Sequence, residues 1–302
     1  MPSWQSRVFD RYSRLVIRRA SWGKSAALVA RRARRHFGIP PFLQRLALRG
    51  LGHQRVAEGH VRGEWLVPPT PAPGVVLYVH GGGYVACSAA THRPVTTALA
   101  RATGCRVFAA DYRLAPEARF PAAYDDVAAT YHWLVTRGAP GERIVIAGES
   151  AGGGLVLALA VHARDQGWPA PAGVVAFSPW TDLAGTGASL TGNAGRCAMF
   201  LPENITAFAA AYLGPASAKD PRASPLYADL RGLPPLLVQV GSTELLLDDA
   251  RRVHDAVIQG GGSSRLTVYD DVPHGWHLTA PFLPEARAAI AEAAAFIVAR
   301  IR

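Results

Sequence analysis

The chain is poor in cysteine, lysine and methionine, and the first shortage already narrows its class. Its 302 residues carry three cysteines, Cys87, Cys105 and Cys197, an odd number with no CxxC spacing. That pattern supplies neither a disulfide framework nor the paired thiolates of a zinc site, so no metal is expected. The cysteines read instead as small buried hydrophobes in a reducing cytoplasm, the expected location. No apolar run approaches the roughly 20 residues of a membrane span, so stable membrane insertion is not expected. The start, MPSWQSRVFDRYSRLVIRR, lacks the unbroken apolar stretch of a secretory signal. No repeat and no low-complexity tract is present.

Acidic residues are scarce in one region only. Residues 1–62 hold 14 Arg or Lys against Asp10 and Glu58, a balance of +12, whereas the rest of the chain stands at −2. The overall charge of +10 therefore belongs to one N-terminal segment. Arginine outnumbers lysine 30 to 2, a bias that genome composition explains as well as phosphate contacts do. Such a segment could meet acidic lipid or nucleic acid. Its arginines, however, alternate with Val8, Tyr12, Leu15 and later Leu28 at helical spacing. That makes them the solvated face of a helix and the apolar stripe, with Trp4 and Trp22, a docked face. An Arg-rich, acid-poor start also imitates a transit peptide, but the stripe fits a docked helix better. No nucleic-acid partner is expected.

Residues 7–20 and 24–37 read as two such helices, followed by GIPPF, a short helix and irregular chain leading to GEWLVPP. The rhythm then changes. Short, mostly continuous apolar runs occur at 74–80, 105–112, 143–149, 172–179, 235–241 and 265–271. Runs of this kind are strands buried on both faces. Helical stretches lie between most of them, at 92–102, 121–137, 152–166 and 247–259, with a last one at 285–302. The alternation predicts a mainly parallel α/β sheet with helices on both sides. From Trp180 to Leu233 there is no strand, an interval far beyond a connection of about 2–6 residues, so it reads as an insertion over one end of the sheet.

GESAG at 148–152 fits G-x-S-x-G, with the strand RIVIA before it and the helix AGGGLVLALAVHA after it. That context makes Ser150 a nucleophile on a strained strand-to-helix turn. HGGGY at 80–84 follows another buried strand, where bare backbone can approach a ligand. Gly81 and Gly82, with Ala151, are the expected N–H donors for an oxyanion. His80 precedes the serine and reads as a local support for that loop. The base must come late in the chain, and His274 in DDVPHGWH is best placed, with His277 as its rival. The orienting carboxylate is Glu244, directly after its strand, or else Asp248, ahead of Asp249, in the next helix. Ser150, Glu244 and His274 all follow the carboxyl ends of parallel strands, where open sheets place their sites.

HGGGY, DYRLAPEARFPAAYDD, GESAGG, SPWTDLA, GSTELLLDD and PHGWH run in order from about residue 64 to the C-terminus. On these motifs the chain resembles the bacterial hormone-sensitive-lipase-like esterases of the α/β-hydrolase superfamily. The resemblance implies an α/β-hydrolase fold with an eight-stranded sheet, a helical cap and no cofactor. The cap would comprise residues 1–50 and an insertion at about 184–232, with 51–302 as the catalytic domain. Ser150, Glu244 and His274 would be the triad, Glu244 standing where the family's usual residue is Asp. Glu149 likewise replaces an Asp beside the serine, and YRLAPE reads as structural. The implied activity is a serine carboxylesterase for short- to medium-chain acyl esters. A lactone hydrolase, a deacetylase and a ligand receptor on the same fold are the alternatives. The partner is a small ester or lactone, with a homodimer left open. Substrate contacts are expected from Trp22, Phe37, Tyr84, Met199, Phe200, Leu201, Phe208 and Trp276.

Overall fold

Five of the six apolar runs become the middle of a single sheet. The sixth, at 265–271, was expected to be buried on both faces but forms a half-exposed edge strand, because no strand pairs beyond it. In a computed structural model that describes residues 2–18, 26–37 and 40–301, eight strands are present. They are β1 Gly52–Glu58, β2 Val61–Val67, β3 Ala72–Val79, β4 Cys105–Ala110, β5 Ile144–Glu149, β6 Gly173–Phe177, β7 Leu236–Gly241 and β8 Ser264–Tyr269. The order across the sheet is β1-β2-β4-β3-β5-β6-β7-β8. β2 runs antiparallel to both its neighbours, and the pairs from β4 to β8 are parallel.

Side chains alternate between two cores, as the pleat requires. Val75, Leu77 and Val79 of β3 point to one face, Val76 and Tyr78 to the other. The first face is covered by the helices Ala122–Thr136, Ala151–Asp165 and Leu247–Gln259, the second by Arg93–Thr103 and Pro284–Ile301. The chain before GEWLVPP was expected to be irregular, but it forms the β1–β2 hairpin. β1 is an edge strand with almost every side chain in solvent, so it has no apolar run to announce it.

Above the sheet, the helix Ala26–His36 packs against Pro202–Leu213, which belongs to the long interval between β6 and β7. The first helix, Trp4–Tyr12, runs on through a π turn at Ser13–Ile17. Its orientation corrects the expectation of a docked apolar stripe. Trp4, Val8, Tyr12 and Leu15 face solvent, while Ser6, Ser13 and Ile17 are buried. The reason is polar anchoring at close range. Ser3 donates from its N–H and its hydroxyl to the Glu285 carboxylate (2.6 and 2.8 Å), and Ser6 donates to the Asp271 carbonyl. Small serines let the helix backbone sit close to the core where a larger side chain would hold it off. Trp22 lies outside the described residues.

Candidate active site

β5 ends at Glu149 and the next helix begins at Ala151, so Ser150 alone must turn the chain. It does so at φ 55° and ψ −119°, a region L residues rarely adopt. Gly148 and Gly152 permit the turn, because a Cβ on either would overlap a backbone oxygen, that of Gly152 or of Val79. The Ser150 N–H donates to Phe177 O (2.8 Å), and its carbonyl accepts from the Trp180 N–H (2.9 Å). The elbow is thus fixed from two sides.

His274, beyond β8, meets this serine. Its Nε2 lies 3.0 Å from Ser150 Oγ, and its Nδ1 lies 2.5 Å from Glu244 Oε2. Glu244 is fully buried in the turn after β7, where its Oε1 accepts from the Gly241 N–H (2.6 Å) and the Ser178 hydroxyl (2.7 Å). A carboxylate only accepts, so Nδ1 carries the proton and Nε2 is free to take one. Burial opposes a charged imidazole at His274, but the charge and hydrogen bond of Glu244 and the charge of Glu149 outweigh it. The result is a pKa above the ordinary histidine value.

The rivals lie elsewhere. Asp248 accepts from the Ser189 N–H (2.8 Å) and so holds the start of a short helix. Asp249 accepts from the N–H groups of Thr181 and Asp182, and burial pushes its pKa up to about 7. His277 is buried against Trp276 and Phe177, and burial holds it neutral, its pKa well below the usual value.

The glycine loop corrects one expected donor. The Gly81 N–H points at His92 Nε2 (3.2 Å) and is not offered to the cavity. Gly82 and Gly83 line the cavity instead, each in the left-handed backbone region at φ +107° and +61°. The Ala151 amide opens its helix and has no carbonyl of a preceding turn to serve. His80 holds the loop, as expected: its Nδ1 contacts Gly81 O (2.7 Å) and its ring stacks on Tyr112. Burial, then the neighbouring His92, depress its pKa to about 3. The YRLAPE stretch supports the same loop, with the Tyr112 hydroxyl donating to His80 O (2.9 Å). From the helix above, Arg34 donates to Val85 O and Ala115 O (2.8 and 2.9 Å) and pairs with Glu117. It latches that helix to the glycine loop.

Sequence reasoning gave Glu149 no role at the site, and it missed His92. The Glu149 carboxylate is buried, with Oε1 3.3 Å from His274 Nε2 and Oε2 3.3 Å from His92 Nε2. Their signal was present only as an acidic residue beside the serine and a histidine at a helix start.

Ser150 opens on a cavity of about 220 Å³ with mainly apolar walls. Of the expected contacts, Phe37, Met199, Phe200 and Phe208 line it. Phe37, Phe200 and Phe208 form a mutual edge-to-face trio at 5.8–6.2 Å, and Phe200 also stands 5.4 Å from His274. Phe9, Tyr12, Ile17 and Leu246 were not foreseen. Three expected contacts are absent from the walls. Tyr84 stacks on Tyr212 at 3.8 Å within the core. Trp276 packs against Tyr269 and His277 in the core on the other face of the sheet. Leu201 precedes the helix Pro202–Leu213, its N–H donating to Asn204 Oδ1 (2.8 Å). Among the described residues no cluster of three or more His, Cys, Asp or Glu could hold a metal ion.

Comparison with known proteins fits this geometry. Residues 76–278 match the family of the alpha/beta hydrolase fold. The crystal structure of an esterase from the bacterial hormone-sensitive lipase family is 40% identical, with a TM-score of 0.89 over 100% of both chains. The chain belongs to that family. Two relatives are similar to this hormone-sensitive-lipase-type carboxylesterase over most of their length. An acetyl-hydrolase of Streptomyces hygroscopicus is 42% identical over 242 residues, 80% of this chain and 81% of that protein. An esterase of Acinetobacter venetianus is 37% identical over 237 residues, 78% of each. A crystal of EstE5 soaked with p-nitrophenyl butyrate has a TM-score of 0.80 at 37% identity, covering 93% of this chain and 99% of that one. Among the described residues of the esterase, no helix is long and apolar enough to cross a membrane.

Proposed function

We propose that this esterase hydrolyses short- to medium-chain acyl esters with Ser150 as nucleophile, His274 as general base and Glu244 as its orienter. The observation that carries the reading is the hydrogen-bonded row from Ser150 Oγ through His274 to Glu244, open at the serine end to an apolar cavity. As Oγ attacks the ester carbonyl, Nε2 takes its proton, and Glu244 stabilises the imidazolium that forms. N–H groups of Gly82, Gly83 and Ala151 receive the oxyanion, the last at the positive end of its helix. His274 then gives the proton to the departing alkoxide, and the acyl group stays on Ser150. Water deprotonated by the same imidazole attacks the acyl-enzyme, releases the acid and restores the serine.

Residues 1–50 and about 184–232 serve as the cap, and 51–302 supply the catalytic domain. Cap residues Phe37, Met199, Phe200 and Phe208 wall the cavity at Ser150, which supports an upper limit on chain length. Likeness to an acetyl-hydrolase favours the short end of the range. The test is kcat/KM across p-nitrophenyl acetate, butyrate, octanoate and laurate. Butyrate is expected to be best and laurate poorest. A maximum at laurate would overturn the chain-length reading, and no turnover of any ester would overturn the whole.

A further inference from the structure

The first helix is turned inside out for a protein that meets only water. Trp4, Val8, Tyr12 and Leu15 recur at intervals of four, four and three residues, so they form one row along the helix. They are 70%, 57%, 50% and 59% exposed, and Val16 beside them is also exposed. The inward side presents Ser6 and Ser13, both fully buried. Scattered apolar residues on a surface are ordinary, but a contiguous row of four large ones marks a contact surface.

The charge around the row identifies what it would contact. Arg7 and Arg11 stand exposed beside it. Asp10, the helix's own acid, is engaged by Arg14 at 2.7 Å, so it leaves Arg7 and Arg11 uncompensated. Arg14 and Arg18 also donate to carbonyls at 194–197, which ties the helix down with its row outward. The helix and its continuation carry Arg7, Arg11, Arg14 and Arg18 against the single acid Asp10, so this element is itself strongly positive. Tyr12 belongs to the row and to the wall of the cavity, which sets the surface at the edge of the site.

We propose that the outer face of the helix Trp4–Tyr12 and its continuation to Ile17 docks on anionic phospholipid bilayers. The helix would lie in the plane of the interface, the row among the upper acyl chains and the arginines at the headgroups. Trp4 suits that boundary, having an apolar ring and an N–H for the wet side. A nucleic acid would use the arginines but has nothing to offer Val8 and Leu15. A second copy of the chain docked on the same face would bring the same exposed arginines and repel it. This surface goes beyond the hydrolytic reading, since docking needs no turnover.

The test is co-sedimentation of the full chain with vesicles of phosphatidylcholine alone, or mixed with phosphatidylglycerol, at low and high salt. Val8→Ser/Leu15→Ser removes apolar contact and Arg7→Glu/Arg11→Glu reverses charge, neither touching the cavity wall. Thermal unfolding checks the fold, and Trp4→Ser repeats the apolar test should the serine pair unfold the chain. Strong binding to phosphatidylglycerol vesicles is expected, weakened by salt and by about tenfold or more in each pair. Ser150→Ala is expected to bind as the unaltered chain does, which separates docking from hydrolysis. The proposal is overturned by absence of binding at saturating lipid, or by apolar variants that bind unchanged. It is equally overturned if the row proves to bury itself in a dimer on ultracentrifugation, or if duplex DNA rather than vesicles is what the arginine pair retains.

Discussion

Glu149 Oε1 and His274 Nε2 stand 3.3 Å apart, although Glu149 is the residue just before Ser150. The same nitrogen faces Ser150 Oγ at 3.0 Å, so Nε2 is shared between a hydroxyl and a buried carboxyl group. The other oxygen of Glu149 approaches His92, which holds the Gly81 amide. One side chain therefore touches both the proton-accepting nitrogen and the support of the glycine loop.

Glu149→Gln should move the acid limb of kcat/KM to lower pH. A general base works only when unprotonated, so activity is lost as pH falls through the pKa of His274. That pKa is raised by Glu244 and by Glu149, against the opposing effect of burial, so the limb in the unaltered enzyme should lie above about 6.5. Glutamine keeps the shape and removes the negative charge, and the imidazolium loses one of its two stabilising neighbours. A pH–rate profile with p-nitrophenyl butyrate decides it. A limb that stays put, or rises, would mean that Glu149 does not act on the base.

Ser150→Ala should cost about 10⁴-fold or more in kcat, the scale of removing one member of a serine triad. Folding should survive, because the strain at φ 55° is borne by the elbow and its flanking glycines and not by the hydroxyl. The measurement is turnover beside thermal unfolding. A variant keeping a tenth of its activity would remove Ser150 from the mechanism.

The two candidate acids after β7, Glu244 in the turn and Asp248 in the next helix, should separate cleanly. Glu244→Gln presents an amide to His274 Nδ1 and disturbs the tautomer, which should lower kcat by about 10⁴-fold. Asp248→Asn keeps an acceptor for the Ser189 N–H, and should change kcat by less than about threefold, as surface substitutions away from a site do. Steady-state kinetics on both variants is the check. Reversed losses would reassign the orienter.

The parts of this molecule that the sequence shows plainly are those fixed by local physics. β3 to β7 are buried along nearly their whole length and so must be largely apolar, whereas β1, exposed at the edge, carries no such mark. Ser150 is legible because a strand, a turn and a helix must all be small-residue-compatible within a few positions. Which of three successive glycines offers its N–H is not legible, because His92, eleven residues on, takes the first one. Tyr84 and Trp276 sit within motifs beside the site, yet each turns into a core, a choice made by distant partners such as Tyr212 and Tyr269. The first helix misled for a related reason. Its pattern gives two faces, but Glu285 and Asp271, far along the chain, decide which one is inward.

Phe208 gives the most direct test of the proposed cap as a ruler for acyl length. Its ring lies 5.9 Å from Phe200 and 6.2 Å from Phe37, so it joins the N-terminal segment to the long interval between β6 and β7. It also presses on the glycine loop, since a Cβ on Gly83 would come within 3.0 Å of the ring. Phe208→Leu keeps the site apolar and removes bulk from the cavity wall. It should cost about 1–1.5 kcal/mol of stability, because the space is only partly refilled. The freed volume lies beside Ser150, so the best p-nitrophenyl ester should shift from butyrate towards octanoate, with kcat on acetate little changed. Denaturant unfolding and the ester series read the two effects separately. If stability falls and the chain-length profile keeps its shape, Phe208 only glues the cap to the core, and the ruler must be sought in Phe200 and Met199.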